Sequence, residues 1–140
     1  MSSGAGFESF PDGVRYIGSN AFFNNSANTF SNLPRGISHI LNTSFGLNMN
    51  LKIAHFGYSV GAVENAAEEN GLVIIGNEAF SNSGKSINEI YIYSSIKGLG
   101  NKCFDGFGKS SEPLIVHDYS GLISYSNIGD IFGSRAVDLR

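Results

Sequence analysis

The chain predicts a single short solenoid, mostly β with short helical turns, in which four to five rungs of 23 to 24 residues carry one strand each. Three observations predict it: a hexamer that recurs with Phe in last place, an apolar stretch after each copy, and a composition rich in turn formers. Of 140 residues 18 are Gly, and only 15% are charged, against about 25% in an average soluble domain. Turn chemistry spread along the whole length favours many short elements over a few long helices.

Residues 1–12 hold no copy of the repeat and are expected to act as a cap or arm, because the exposed end of a solenoid core has to be covered. The repeats occupy residues 13–118. The first hexamer, Ile17-Gly18-Ser19-Asn20-Ala21-Phe22, is followed by the apolar stretch Phe30 to Leu33. The second, Ile40-Leu41-Asn42-Thr43-Ser44-Phe45, leads into Leu51-Lys52-Ile53-Ala54-His55-Phe56, whose alternation reads as a strand. Residues 57–70 then interrupt the register as an insertion. Within it Val63 to Glu69 has the composition of a helical turn or two, and Gly71 is placed to end it.

The third hexamer, Ile75-Gly76-Asn77-Glu78-Ala79-Phe80, runs into the strand-like Ile87 to Tyr93. The fourth, Leu99-Gly100-Asn101-Lys102-Cys103-Phe104, is followed by Leu114-Ile115-Val116. The four phenylalanines stand 23, 35 and 24 residues apart, so the middle gap is one repeat plus 12 residues. A further step of 24 lands on Ile123 and Ile128, a decayed fifth copy, and residues 119–140 are expected to close the stack as a cap or arm.

One rung cannot bury its own apolar face, but stacked rungs can. Phe22, Phe45, Phe80 and Phe104 are expected to form an internal ladder, with Ile17, Ile40, Ile75 and Leu99 forming a second beside it. Each such side chain contributes about 1.5–3 kcal/mol when buried.

The unit carried by Pro11 to Phe22 and by Gly71 to Phe104 resembles the BspA-like, type 5 leucine-rich repeat over residues 10–118. The second hexamer departs from that pattern with Leu41 where the repeat has Gly. The resemblance implies a right-handed leucine-rich-repeat solenoid, roles in adhesion and protein binding on bacterial, protist and phage surfaces, and no catalytic residues.

A net charge of -3 and a pI near 5.5 give no electrostatic footprint for nucleic acid. No apolar run approaches the roughly 18 residues needed to cross a bilayer, so membrane insertion is not expected. The first residues have neither the basic nor the apolar region of a signal peptide.

No catalytic, cofactor-binding or metal-ligating set emerges. Cys103, the one thiol, sits at the fifth hexamer place, where the other copies carry Ala21, Ser44 and Ala79, so a buried small-residue role is expected rather than a nucleophile paired with His55 or His117. Gly84-Lys85-Ser86 and Gly108-Lys109-Ser110 look like the end of a phosphate-binding loop. The Gly required five residues earlier is replaced by Ala79 and Cys103, and both triplets read as one solenoid turn seen twice. His39, His55 and His117 lack metal-site spacing.

The candidate binding surface is Glu89, Tyr91 and Tyr93. On a strand with Ile90 and Ile92 turned inward these three face out together, and exposed Tyr offers an apolar ring with a hydrogen-bonding end. The function expected is non-enzymatic: a protein-binding or assembly module that self-assembles as a homo-oligomer, joins a larger complex, or contacts a host-surface protein or glycan. A phage virion decoration or attachment component is the leading setting. A fragment of a bacterial adhesin is the alternative within that class, and a small carbohydrate-active hydrolase is the alternative outside it.

Overall fold

The computed structural model describes residues 9–11, 13–62 and 68–140. Most of the expected N-terminal cap, and most of the helical turn expected over Val63 to Glu69, lie outside the described residues.

The chain winds into a β-solenoid of about five turns, and its strands form two parallel sheets. The first sheet runs β1 (Tyr16–Ile17), β2 (His39–Ile40), β4 (Ile74–Ile75) and β6 (Gly98–Leu99). The second runs β3 (His55–Phe56), β5 (Glu89–Ile92), β7 (Leu114–Asp118) and β8 (Val137–Leu139). One strand per rung is thus corrected to two in the central rungs. The opening of each hexamer is itself a strand, but at two residues it is too short for alternation to reveal.

Between the sheets the hexamer bends through two left-handed residues per turn: Asn20 and Asn24, Thr43 and Leu47, then Glu78 and Asn82. Side chains enter that region at a cost. The return is hydrogen bonding. Alternate amides point along the stack, with Phe22 N–H donating to Ser44 O, Phe45 N–H to Ala79 O and Phe80 N–H to Cys103 O, each at 2.8 Å. The amides between them close local turns, as Ala79 N–H does on Gly76 O at 3.3 Å. Buried backbone polar groups are satisfied in this way without a long strand.

The core is a column of phenylalanines. Ring centroids lie 5.3 Å apart for Phe22–Phe45, 5.2 Å for Phe45–Phe80 and 5.6 Å for Phe80–Phe104, all nearly parallel. Phe45, Phe80 and Phe104 are fully buried, while Phe22 in the first turn is half-buried and meets Phe10 edge-on. Ile17, Ile40 and Ile75 are buried beside the column, and Leu99 is half-buried.

The fifth ring is Phe132, stacked on Phe104 at 5.5 Å. The fifth copy extrapolated to Ile123 and Ile128 is therefore corrected: Ile123 is buried, but the helix α1 (Ile128–Phe132) carries the ring four residues further along. Among the described residues no strand follows β6 in the first sheet.

The insertion leaves the stack through a narrow neck. Asn70 N–H donates to Gly57 O at 2.9 Å, Gly57 N–H donates to Asn70 Oδ1 at 3.0 Å, and Asn70 Nδ2 donates to His55 O at 3.1 Å. The ladder resumes beyond it without a change of register.

Candidate functional site: the outer face of the second sheet

Parallel pairing places His55 against Tyr91 and Tyr91 against His117. A parallel in-register sheet repeats at about 4.8 Å, close to the stacking distance of flat rings. The three rings accordingly form a column, 4.8 Å from His55 to Tyr91 and 4.5 Å from Tyr91 to His117, with interplanar angles of 4° and 6°. Tyr93 and Tyr119 make a second stack beside it at 6.1 Å. The inward residues Phe56, Ile90, Ile92, Leu114 and Val116 are buried and fix the sheet from below.

Glu89 and Tyr91 lie on the outer face of β5 and Tyr93 follows its last residue, all three partly exposed, with Ile90 and Ile92 turned into the core. The structure adds His55, His117, Tyr119 and Arg140 to them. The signal for the histidines was present: His55 follows Ile53-Ala54 and His117 follows Ile115-Val116 as Tyr91 follows Glu89-Ile90. The insertion hides it, because the column's sequence steps are 36 and 26 residues rather than one period.

The two histidines are held in different ways. His55 Nδ1 lies 2.7 Å from Tyr93 Oη. Burial pushes the Tyr93 phenol up to about 12, reinforced by the Glu69 and Glu68 carboxylates, so it keeps its proton. Burial also lowers the His55 pKa, against the opposing pull of Glu68 and Glu69, which favours the neutral ring. His117 Nε2 instead lies 2.6 Å from Glu89 Oε2, and that bond holds the Glu89 carboxyl below its ordinary value. Arg140, ion-paired with Asp138 at 2.9 Å, lies at the adjoining edge.

The face is thus a fixed array of ring edges carrying donors, acceptors and both signs of charge. Cys103 is buried in the core with the phenylalanines, and burial pushes its thiol up to about 12. The two Gly-Lys-Ser triplets occupy equivalent turns, where Gly84 N–H donates to Asn48 O and Gly108 N–H to Ser83 O. Lys85 Nζ donates to Gly106 O, and Lys109 pairs with Glu112 at 3.8 Å. His39 lies on the first sheet, its ring 5.3 Å from that of Tyr16. Among the described residues no group of three or more His, Cys, Asp or Glu is placed to hold a metal ion, and no helix is long and apolar enough to cross a membrane.

A family model described as the BspA type leucine rich repeat region matches residues 7–69 and 54–119, in six copies. No curated protein and no solved structure matches the chain.

Proposed function

The chain belongs to the BspA-type leucine-rich-repeat family, and on that premise we propose that it is a non-enzymatic module that binds a protein partner through the outer face of the second sheet. The ring column His55–Tyr91–His117, flanked by Tyr93 and Tyr119, supports this reading. Rings locked by stacking have little rotamer freedom left to lose on docking, and ordering side chains is otherwise a main cost of association. Their edges offer hydrogen-bonding groups of both kinds, as a protein surface demands. The setting we favour is an assembled exterior surface, a phage particle or a bacterial cell, since the repeat is one of surface adhesion.

Site-specific photo-crosslinking tests the face. A benzophenone side chain at Tyr119, which is 58% exposed, is expected to capture a discrete protein from phage or bacterial surface fractions, while the same group at Leu41, which follows β2 of the first sheet and is 40% exposed, captures none. Equal labelling from both positions, or from neither, would rule the second sheet out as the binding face.

A further inference from the structure

The first sheet ends one strand early, and we propose that its open edge at β6 is a second binding site, which takes an extended segment of a partner protein as the missing parallel strand. It lies on the opposite sheet from the face described above and does not rest on that reading.

The preceding rungs show what this edge accepts. Ser38 O and Ile40 O are filled by the amides of Val73 and Gly76 at 2.9 and 2.7 Å, and Asn42 Oδ1 by the Asn77 amide at 2.9 Å. One rung on, Val73 O, Ile75 O and Asn77 Oδ1 are filled by the amides of Lys97, Gly100 and Asn101, each at 2.8 Å. In the fourth rung the same three acceptors are Lys97 O, Leu99 O and Asn101 Oδ1. None of them receives a hydrogen bond from the described residues. The alternation of a parallel strand turns the Leu99 N–H the same way.

These groups face a cleft of about 390 Å³ between β6 and the closing turn, with Leu122, Asp130 and Ile131 on its far side. Leu99 is left half-exposed there, whereas Ile40 and Ile75, which have a following strand over them, are buried.

The chain's own fifth turn does not fill the gap. The Asp118 carboxylate takes the amides of Ser120 and Ile123 and draws that segment aside, and Ser124 stands where the earlier rungs have Gly76 and Gly100. The rest of the turn is present: Phe104 N–H donates to Ile131 O at 3.0 Å, and Leu114 N–H to Ala136 O at 2.9 Å. A second copy's whole first rung is therefore blocked by α1 and β8, and a lone strand is what fits.

The repeat also specifies its sequence. A Cβ on Gly76 would lie 2.8 Å from Asn42 N, and one on Gly100 would lie 2.5 Å from Gly76 C. Such approaches demand Gly. The demand goes with the acceptor below it: Gly76 lies over Asn42 and Gly100 over Asn77, but Leu41 is tolerated over Ser19, which has no amide to reach up and draw the next strand close. Asn101 restores the acceptor, so the incoming strand reads aliphatic, Gly, polar.

An amidated peptide with the sequence of residues 95–102, which makes this same contact on Val73 to Asn77, is the probe for titration calorimetry and hydrogen exchange. It is expected to bind the intact chain and slow exchange of the Leu99 amide. A peptide with Ala at the place of Gly100 is expected to bind at least about tenfold more weakly, as is the wild-type peptide to Asn101→Ala protein. The proposal is overturned by no binding at millimolar peptide, or by equal affinity of the Ala peptide. A Leu99 amide already protected in the free protein, in proportion to its concentration, would overturn it in favour of a second copy.

Discussion

The first and second sheets share the same rungs and the same phenylalanine column, yet they are held together by different means. In the first, backbone lies almost on backbone: Gly76 and Gly100 leave no room for a Cβ, and asparagine amides bridge rung to rung. In the second the strands beyond β3 are longer, and side chains stack on the outer face at the natural spacing of the sheet. A corner built on backbone contact fixes residue identity, whereas a face built on stacked side chains can exchange one flat ring for another. The stack alternates His, Tyr and His in just this fashion, so the first sheet sets the architecture and the second is free to carry recognition.

The comparison can be broken by substitution. Phe80→Ala empties the middle of the shared column and is expected to cost about 3–5 kcal/mol in urea unfolding, whichever sheet is considered. Gly100→Ala drives a methyl into the Asn77 and Gly76 backbone and should cost about 1–3 kcal/mol; a neutral result would mean that the first sheet is looser than described. Asn77→Ala, which removes the acceptor for the Asn101 amide at a solvent-exposed position, should cost about 0.5–1 kcal/mol. Tyr91→Ala on the second sheet should lower stability by no more than about 1 kcal/mol while abolishing crosslinking from Tyr119. Were Tyr91→Ala as damaging as Phe80→Ala, the outer stack would be structural and the division of labour would fail.

The smallest effect expected is on pH dependence. The His55 pKa lies below its ordinary 6.5 in the folded chain, so the unfolded chain binds the proton first and stability is lost as the pH falls from 6.5 through the folded value. Glu89, held below its ordinary 4.5, adds stability that is present above 4.5 and lost on further acidification. Both act in the same direction, so the thermal midpoint should fall in two steps on acidification. Tyr93→Ala removes a ring stacked on His55 and so uncovers it, and should flatten the upper step; an unchanged profile would show that burial does not set it.

Much of this was legible in the residues. The phenylalanine at each hexamer's end gave the column, because a ring of fixed size at a fixed place has one way to stack. Phe132 was not legible, since a helical turn inserts four residues and slides the ring out of period. The first sheet was hidden for a different reason: a two-residue strand has no alternation, and its cohesion comes from backbone and amide groups. On the second sheet Glu89, Tyr91 and Tyr93 followed from the pattern of one strand, whereas His55 and His117 needed the register between strands.

Cys103 turns the solenoid into its own reporter. A thiol with no solvent access, held protonated at ordinary pH, cannot meet an alkylating reagent while the third, fourth and fifth turns are closed. Labelling must wait for those turns to part, and its rate then counts the moments at which the stack opens. Followed with and without the peptide at β6, that clock would register whether supplying the missing strand keeps the C-terminal turns shut.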